Sequence, residues 1–337
     1  MFLRLLGRRY ERADSRDLYF CYRLLLQREP DEATWQHWNS FVTGHGIDIQ
    51  SLVDDFMATE EYHQLQEAGR QPVLVDLDGF QLNVRKNDHF VGAAIAQDKI
   101  YEPAVAAIIG KVMITGDTFV DIGANIGYFT CMAAALVGAD GSVYAFEPNL
   151  DNILLLKRSI FDNGFTNVHL FPYAVAEESQ TFKNDAGSSS NARIIDFTAE
   201  AVPGLYRPRI VEAVTLDETL SDVSRIEMVR LKIEGAESRA WQGMQEIVRR
   251  KRPVHLFEFS PELLRVTGHI EPAAFLDKII DAVYELDILS ADGKTRELPQ
   301  SRDQILLAQE RSGSTHLDLA AMPVYVVRIY SSIHLSH

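Results

Sequence analysis

The chain has 337 residues, 46% of them hydrophobic, and a formal charge of −15. That size and apolar content suit one large α/β domain with a small extra module, and the acidic balance excludes a protein that wraps nucleic acid, which needs a basic face. Its two cysteines, Cys21 and Cys131, can build neither a disulfide framework nor a metal-spacing motif, so a reducing, cytoplasmic setting is the simpler expectation.

No run approaches the roughly 20 apolar residues of a membrane span. The opening MFLRLLGRRYER is too short in its apolar part, and too interrupted by arginine, for a secretion signal. Over residues 12–68, Leu18, Tyr22, Leu25 and Leu26, then Trp35, Trp38, Phe41 and Val42, recur at helical spacing. Pro30-Asp31 starts a helix and Thr43–Gly46 interrupts the pattern, which predicts three short helices. The stretch YRLLLQREPDEATWQHW, followed by DFMATEEY, resembles a small bacterial helical module found with surface-layer and glycan-processing proteins. The resemblance implies docking, to a protein partner or within a homo-oligomer, and its aromatic residues read as core. Residues 1–70 are therefore expected to form a helical interaction module, and 71–337 the α/β domain.

Beyond a linker at Gly69–Pro72, Asp78-Gly79 within an alternating stretch signals a hairpin. Ile100–Ile114 reads as a helix opened by Glu102-Pro103. The apolar run Thr118–Val120 then ends in an acid, Asp121. A glycine turn, Gly123-Ala-Asn-Ile-Gly127, and a helix over Tyr128–Val137 follow. Strand, tight turn and helix of this kind open a doubly wound sheet, with the turn as ligand cradle.

The rhythm continues with strand Ser142–Phe146, helix Asn149–Asn163 and strand Val168–Val175. An irregular stretch, Lys183–Arg209, reads as a cap over the cleft, its serines at Ser188–Asn191 within reach of a polyol. Strands are expected at Val211–Val214, Met228–Ile233, Pro253–Phe259, Tyr284–Leu289 and Val324–Ile329, with helices at Arg239–Arg250 and Pro272–Val283. Alternation of this length argues for a mostly parallel sheet covered on both faces.

The cradle suits S-adenosylmethionine better than a dinucleotide. A nicotinamide fingerprint needs three glycines in G-x-G-x-x-G register; here that register holds Gly123, Asn125 and Tyr128. An adenosyl-methionine pocket has no pyrophosphate to accommodate. Asp121 can accept from the ligand's amino end, and Glu147, at the end of the next strand, can accept both ribose hydroxyls. The alternative for each acid is purely structural: a turn brace for Asp121, a solvated helix start before Pro148 for Glu147.

FVDIGANIGYFT, YAFEPN, VTLDETL, IEGAE and LFEF, in that order from about Val73 onward, resemble the FkbM family of S-adenosylmethionine-dependent methyltransferases. The resemblance implies a class I methyltransferase fold, a Rossmann-like α/β sheet of seven strands in order 3-2-1-4-5-7-6. It implies O-methylation of sugars, glycans or polyketides. It also implies a cofactor turn at Asp121, Gly123, Ala124, Asn125 and Gly127 with Tyr128 beside it, a ribose acid at Glu147 next to Pro148, and a preceding aromatic-Glu-Pro at Tyr101-Glu102-Pro103. One departure stands out. Where the family carries Asp in K-I-D-V-E-G-A-E, this chain has Lys232, so no metal role carries over. Lys232 is then a substrate contact, an ion-pair partner for Glu258, or the mark of an altered site.

Methyl transfer to oxygen needs an aligned acceptor and a base. Glu234 and Glu258, at the ends of neighbouring strands, are the candidates, with Lys232 between them. An acid in an apolar strand is costly unless paired, which favours a function or an ion pair for Glu258. His255 reads as a buried, hydrogen-bonded histidine, and Asp217 as a helix cap. Two rival readings are a non-catalytic cofactor-binding scaffold and a nicotinamide oxidoreductase.

Overall fold

The computed structural model describes residues 12–26, 28–88, 91–185, 193–195, 208–290, 296–297, 299 and 301–324. The chain divides into two compact units, one running up to Pro72 with Arg85–Asn87, the other comprising Val73–Val84 and the chain from Asp88 on. Among the described residues no helix is long and apolar enough to cross a membrane.

In the first unit α1 (Ser15–Phe20) runs into a wider π turn at Cys21–Leu25, followed by α2 (Glu32–His45), α3 (Ile49–Met57) and α4 (Glu60–Arg70). That is one helix more than the spacing predicts, because Ala58 and Thr59 break the last predicted segment in two. Asp31, Asp48 and Thr59 cap α2, α3 and α4 by accepting backbone N–H bonds. Leu18, Tyr22, Val42, Leu52 and Phe56 form the core, with Tyr22 edge-on to Phe56 at 5.0 Å. Arg28 lies over Tyr22 and grips Glu61 at 2.5 and 3.0 Å. Tyr22, Arg28 and Glu61 thus help hold this unit together.

The second unit opens with the hairpin β1 (Pro72–Asp76) and β2 (Gln81–Arg85), then α5 (Gly92–Asp98) and α6 (Pro103–Val112). The wound region follows as β3 (Thr118–Ile122), α7 (Tyr128–Val137), β4 (Ser142–Phe146), α8 (Leu150–Asn163) and β5 (Val168–Phe171). Next come the short β6 (Ala174–Val175), β7 (Gln180–Asp185), β8 (Arg193–Ile195), β9 (Pro208–Val214) and α9 (Leu216–Thr219). The remainder is β10 (Met228–Leu231), α10 (Glu237–Gln242), α11 (Gln245–Arg250), β11 (Val254–Phe259), α12 (Pro261–Val266), α13 (Pro272–Asp281), β12 (Tyr284–Leu289), β13 (Arg296–Glu297), α14 (Arg302–Ser312) and β14 (Leu317–Pro323).

The main sheet runs β5-β4-β3-β10-β11-β14-β12, with the two-residue β13 on its edge. Numbered by their order within this sheet, the seven strands read 3-2-1-4-5-7-6, the class I methyltransferase order. Only β14 and the edge strand run against the others. Phe119, Val143, Met228 and Leu256 bury one face of the sheet and Val120, Phe146, Val229 and Phe257 the other.

Several expectations need correction. Part of the stretch read as an irregular cap is β-structure, since β7 pairs with β8 and β9 and β9 with β6 in a second sheet. Ser188–Asn191 lie outside the described residues. Among the described residues the last strand is β14, over a stretch where no strand was expected; its fully buried Ala320 and Ala321 carry a weak strand signal. Of Val324–Ile329, only Val324 is described. The helix expected over Arg239–Arg250 divides at Gly243, where a Cβ would lie 2.0 Å from the Ala176 carbonyl oxygen. Asp217 does cap a helix, though a distant one, accepting from Glu246 and Ile247 N–H at 2.9 Å. His255 is buried without a hydrogen-bond partner on either ring nitrogen, between Trp241 and Tyr284 at 4.9 and 5.2 Å. Burial pushes its pKa down to about 3, so the ring stays neutral.

Candidate active site

β3 delivers Asp121 and Ile122, after which the chain turns at once into α7. Gly123 takes φ +81, and a Cβ there would sit 2.0 Å from the Lys232 carbonyl oxygen; Gly127, at φ +95, would meet Leu156 at 2.2 Å. The backbone N–H groups of this turn are all engaged. Gly123 and Ala124 donate to the Phe146 carbonyl, both at 3.0 Å, and Gly127 donates to Ala124 at 2.9 Å. Asn125 donates to Glu147 at 2.8 Å and Ile126 to the Asn125 side chain at 2.7 Å. A pyrophosphate needs such groups free. This turn offers shape without phosphate donors.

The strand-end acids are braced from within. Asp121, fully buried, accepts from the Thr130 hydroxyl at 2.7 Å and from Arg230 at 3.0 Å. Arg230 also donates to the Gly123 carbonyl at 3.3 Å and lies 4.4 Å over the Phe129 ring. Glu147 accepts from Asn125 N–H on one oxygen and from Asn149 N–H, across Pro148, on the other, both at 2.8 Å. It therefore joins the turn to the start of α8, and burial pushes its carboxyl up to about 7.

Two adjoining clefts open at the carboxyl ends of the strands. The first encloses about 370 Å³, its open mouth included, and is lined by Gly123–Ile126, Tyr128, Phe129, Tyr101, Lys232 and Glu234. The second, about 180 Å³, is lined by Glu102, Glu258, Asp318 and the apolar Leu256 and Phe257. Arg230 and Lys232 border both. Three non-glycine residues here adopt left-handed backbone: Glu102 (φ +43), Asn125 (φ +53) and Glu234 (φ +55). Such strain persists only where its surroundings impose it, and it collects at functional sites.

Lys232 bridges two acids, Glu102 at 2.5 Å and Glu258 at 2.9 Å. Of the roles left open for it, the ion pair with Glu258 is the one the coordinates contain. Burial opposes its charge, yet Glu102, Tyr101 and Glu258 hold the ammonium above its ordinary range. The same surroundings hold Glu102 below the usual carboxylate range: burial opposes this, and Arg230 and Lys232 outweigh it. His316 stands 3.9 Å from Glu258 at the solvent side. Among the described residues, no three His, Cys, Asp or Glu side chains converge as a metal site.

Sequence reasoning missed Arg230 and Asp318. Arg230 interrupts the apolar run of β10, and a buried cation demands an anion, so the argument that singled out Glu258 applied equally to it. Asp318 was hidden by the misplaced last strand; it is the cross-strand partner of Glu258.

Glu237, which closes the IEGAE stretch, accepts from Ile233 N–H at 3.0 Å, and burial pushes its carboxyl up to about 7. A carboxyl with a raised folded-state pKa binds more protons folded than unfolded. Its contribution is therefore favourable at low pH and falls as pH rises from about 4.5 to about 7. Urea denaturation at pH 5 and pH 7.5 is expected to show Glu237→Gln losing less stability over that interval than the parent, by roughly 1–3 kcal/mol. Equal losses would refute the assignment.

A family model for the methyltransferase FkbM domain matches residues 121–281. No curated protein matches the chain in sequence. Among solved structures, the chain is similar to a methyltransferase FkbM from Methylobacillus flagellatus KT, at 13% identity and a TM-score of 0.39, covering 94% of this chain and 63% of that one. This chain thus spans just under two thirds of that protein's length. A precorrin-6y C5,15-methyltransferase from Geobacter metallireducens GS-15 is similar at 13% identity and a TM-score of 0.38, over 72% of this chain and 94% of that one. An Aeropyrum pernix fibrillarin with natively bound S-adenosyl-L-methionine is similar at 12% identity and a TM-score of 0.34, over 65% and 73% of the two chains.

Proposed function

We propose that this protein, whose residues 121–281 match a model of the methyltransferase FkbM domain, transfers a methyl group from S-adenosylmethionine to a hydroxyl of a sugar, glycan or polyketide acceptor. The observation that carries the cofactor reading is the turn from Gly123 to Gly127, whose N–H groups are all engaged within the protein. It accommodates a nucleoside closely and gives a dinucleotide's phosphates nothing to bind. That speaks against a nicotinamide oxidoreductase. Glu147 accepts from Asn125 and Asn149 N–H and from the Asn152 side chain, and the remaining acceptor capacity of its carboxylate suits a ribose hydroxyl. Tyr128, Phe129 and Tyr101 supply an apolar wall that keeps water out.

When bound, S-adenosylmethionine supplies an electrophilic methyl group on a sulfonium centre. The remaining work falls to the protein. The second cleft takes the acceptor beside the first, and Glu258 on its wall accepts the proton from the acceptor hydroxyl. Lys232, held charged, balances the resident carboxylates Glu258 and Glu102. Glu234, in its strained turn, fixes the rim between β10 and the acceptor. The helical module over residues 1–70 serves recruitment, of a protein partner or a second copy. The buried, unpaired Cys21 and Cys131 suit a reducing, cytoplasmic setting.

The test is incubation with methyl-labelled S-adenosylmethionine and extracts of the source cells, followed by mass spectrometry of the labelled product. Label is expected on a hydroxyl oxygen. Glu258→Gln is expected to lower transfer, measured at saturating cofactor, at least about 100-fold, the usual worth of a positioned base. Turnover that survives in Glu258→Gln rejects the base. Cofactor binding with no transfer to any acceptor turns the reading into that of a scaffold.

A further inference from the structure

Four carboxylates stand around the two cations that border both clefts. Arg230 faces Asp121 at 3.0 Å and Glu102 at 3.5 Å; Lys232 faces Glu102 at 2.5 Å and Glu258 at 2.9 Å. Asp318 is the fourth, directly across the antiparallel β11–β14 pair from Glu258 and lining the same cleft. No cation lies within ion-pair distance of it among the described residues, so the group as a whole carries more negative than positive charge. We propose that Asp318, from the wall of the adjoining cleft, is a specificity-determining residue for the cofactor, its charge favouring the sulfonium of S-adenosylmethionine over the neutral thioether of S-adenosylhomocysteine.

The inference rests on the cofactor reading above. The two ligands share nucleoside and amino-acid parts and differ by one methyl group and one positive charge, so contacts of the turn and of Glu147 do not separate them. A fixed negative charge does. Arg230 and Lys232 do not cancel the effect, because each is already matched by its own acids. Burial, then Glu102 and Glu258, push the Asp318 carboxyl up from its ordinary value, and Lys232 and His316 offset this only in part. A cation in the adjoining cleft relieves that. Loss of the charge on methyl transfer removes the attraction, so the spent cofactor is released from a site that no longer favours it.

Calorimetric titration of the full chain at pH 8 and low ionic strength tests this. S-adenosylmethionine is expected to bind on the order of tenfold more tightly than S-adenosylhomocysteine, the size of effect one unit charge exerts at about 10 Å through an effective dielectric constant of about 20. An analogue with a protonated amine in place of the sulfonium is expected to track the charged cofactor, a comparison that needs no variant. Asp318→Asn is expected to weaken the two cationic ligands and leave S-adenosylhomocysteine within about twofold, with an unchanged unfolding midpoint, while Asp318→Glu keeps the preference. Equal affinities in the parent, or equal weakening of all three ligands by Asp318→Asn, overturn the inference and leave the cofactor reading intact. Failure of the parent to bind any of the three overturns both.

Discussion

Gly123→Ala is expected to abolish measurable cofactor binding and to destabilise the second unit by at least about 3 kcal/mol, the range of severe overpacking combined with backbone strain. The added Cβ would meet the Lys232 carbonyl oxygen at 2.0 Å and Ile233 Cγ2 at 2.9 Å. Neither can retreat easily. Lys232 N–H donates to the Ile122 carbonyl at 3.1 Å, so moving this segment opens the β3–β10 seam at the point where the site is built. The positive φ adds a cost that no side-chain repacking removes. Gly116→Ala provides the contrast: its φ is +88, but no atom lies within 4 Å of the new Cβ. That change is expected to cost only about 1 kcal/mol and to leave cofactor affinity intact. Urea denaturation and cofactor titration of the two variants check both statements. A stable, cofactor-binding Gly123→Ala would show that the turn can yield, contrary to its geometry.

The second large effect concerns Lys232. Removing one partner of a buried ion pair leaves the other charge without compensation and typically costs about 3–5 kcal/mol. Lys232→Ala leaves Glu258 without its lysine and Glu102 with Arg230 alone, so a loss within that range is expected at pH 8. The pH dependence has a definite sign. Glu102 sits below its ordinary value when folded, so its contribution is present above about pH 4.5 and disappears as pH falls through its folded pKa. The penalty of Lys232→Ala is therefore expected to shrink toward acid pH, as Glu102 loses the charge that Lys232 balanced. The double variant Lys232→Met with Glu102→Gln should recover much of the stability, because it removes cation and anion together. Denaturation at pH 8 and pH 3 measures all of this, since only the second lies below the ordinary Glu102 value. A penalty independent of pH, with no recovery in the double variant, would mean that Lys232 contributes packing rather than charge.

Lys232 also shows how two neighbouring cations are accommodated. By charge alone it would repel Arg230, two residues earlier on the same strand end. Here Glu102, held in a strained left-handed backbone before Pro103, lies within reach of both cations. A residue far away in sequence thus makes the pair tolerable.

Much of this protein follows from local pattern. The alternation of short apolar runs with helical periodicity predicted α7, β4 and β12 at their observed bounds and β3 from its first residue, because consecutive residues determine both periods. The glycine turn was recognisable for the same reason: positive backbone angles at Gly123 and Gly127 leave a mark in residue type. What the pattern lacked was long-range chemistry. Whether Glu258 would meet Lys232, whether Asp217 would cap its own helix or one about 30 residues on, and whether His255 would find a partner were all set by which strands lie side by side. Arg230 meets Asp121 across 109 residues of chain. Asp318 reaches the site only because an antiparallel strand of buried alanines inserts between β11 and β12. Sequence by itself determined the wound sheet and its cofactor turn, since backbone geometry is local; tertiary structure alone decided the charge partners, since electrostatic compensation depends on distance in space.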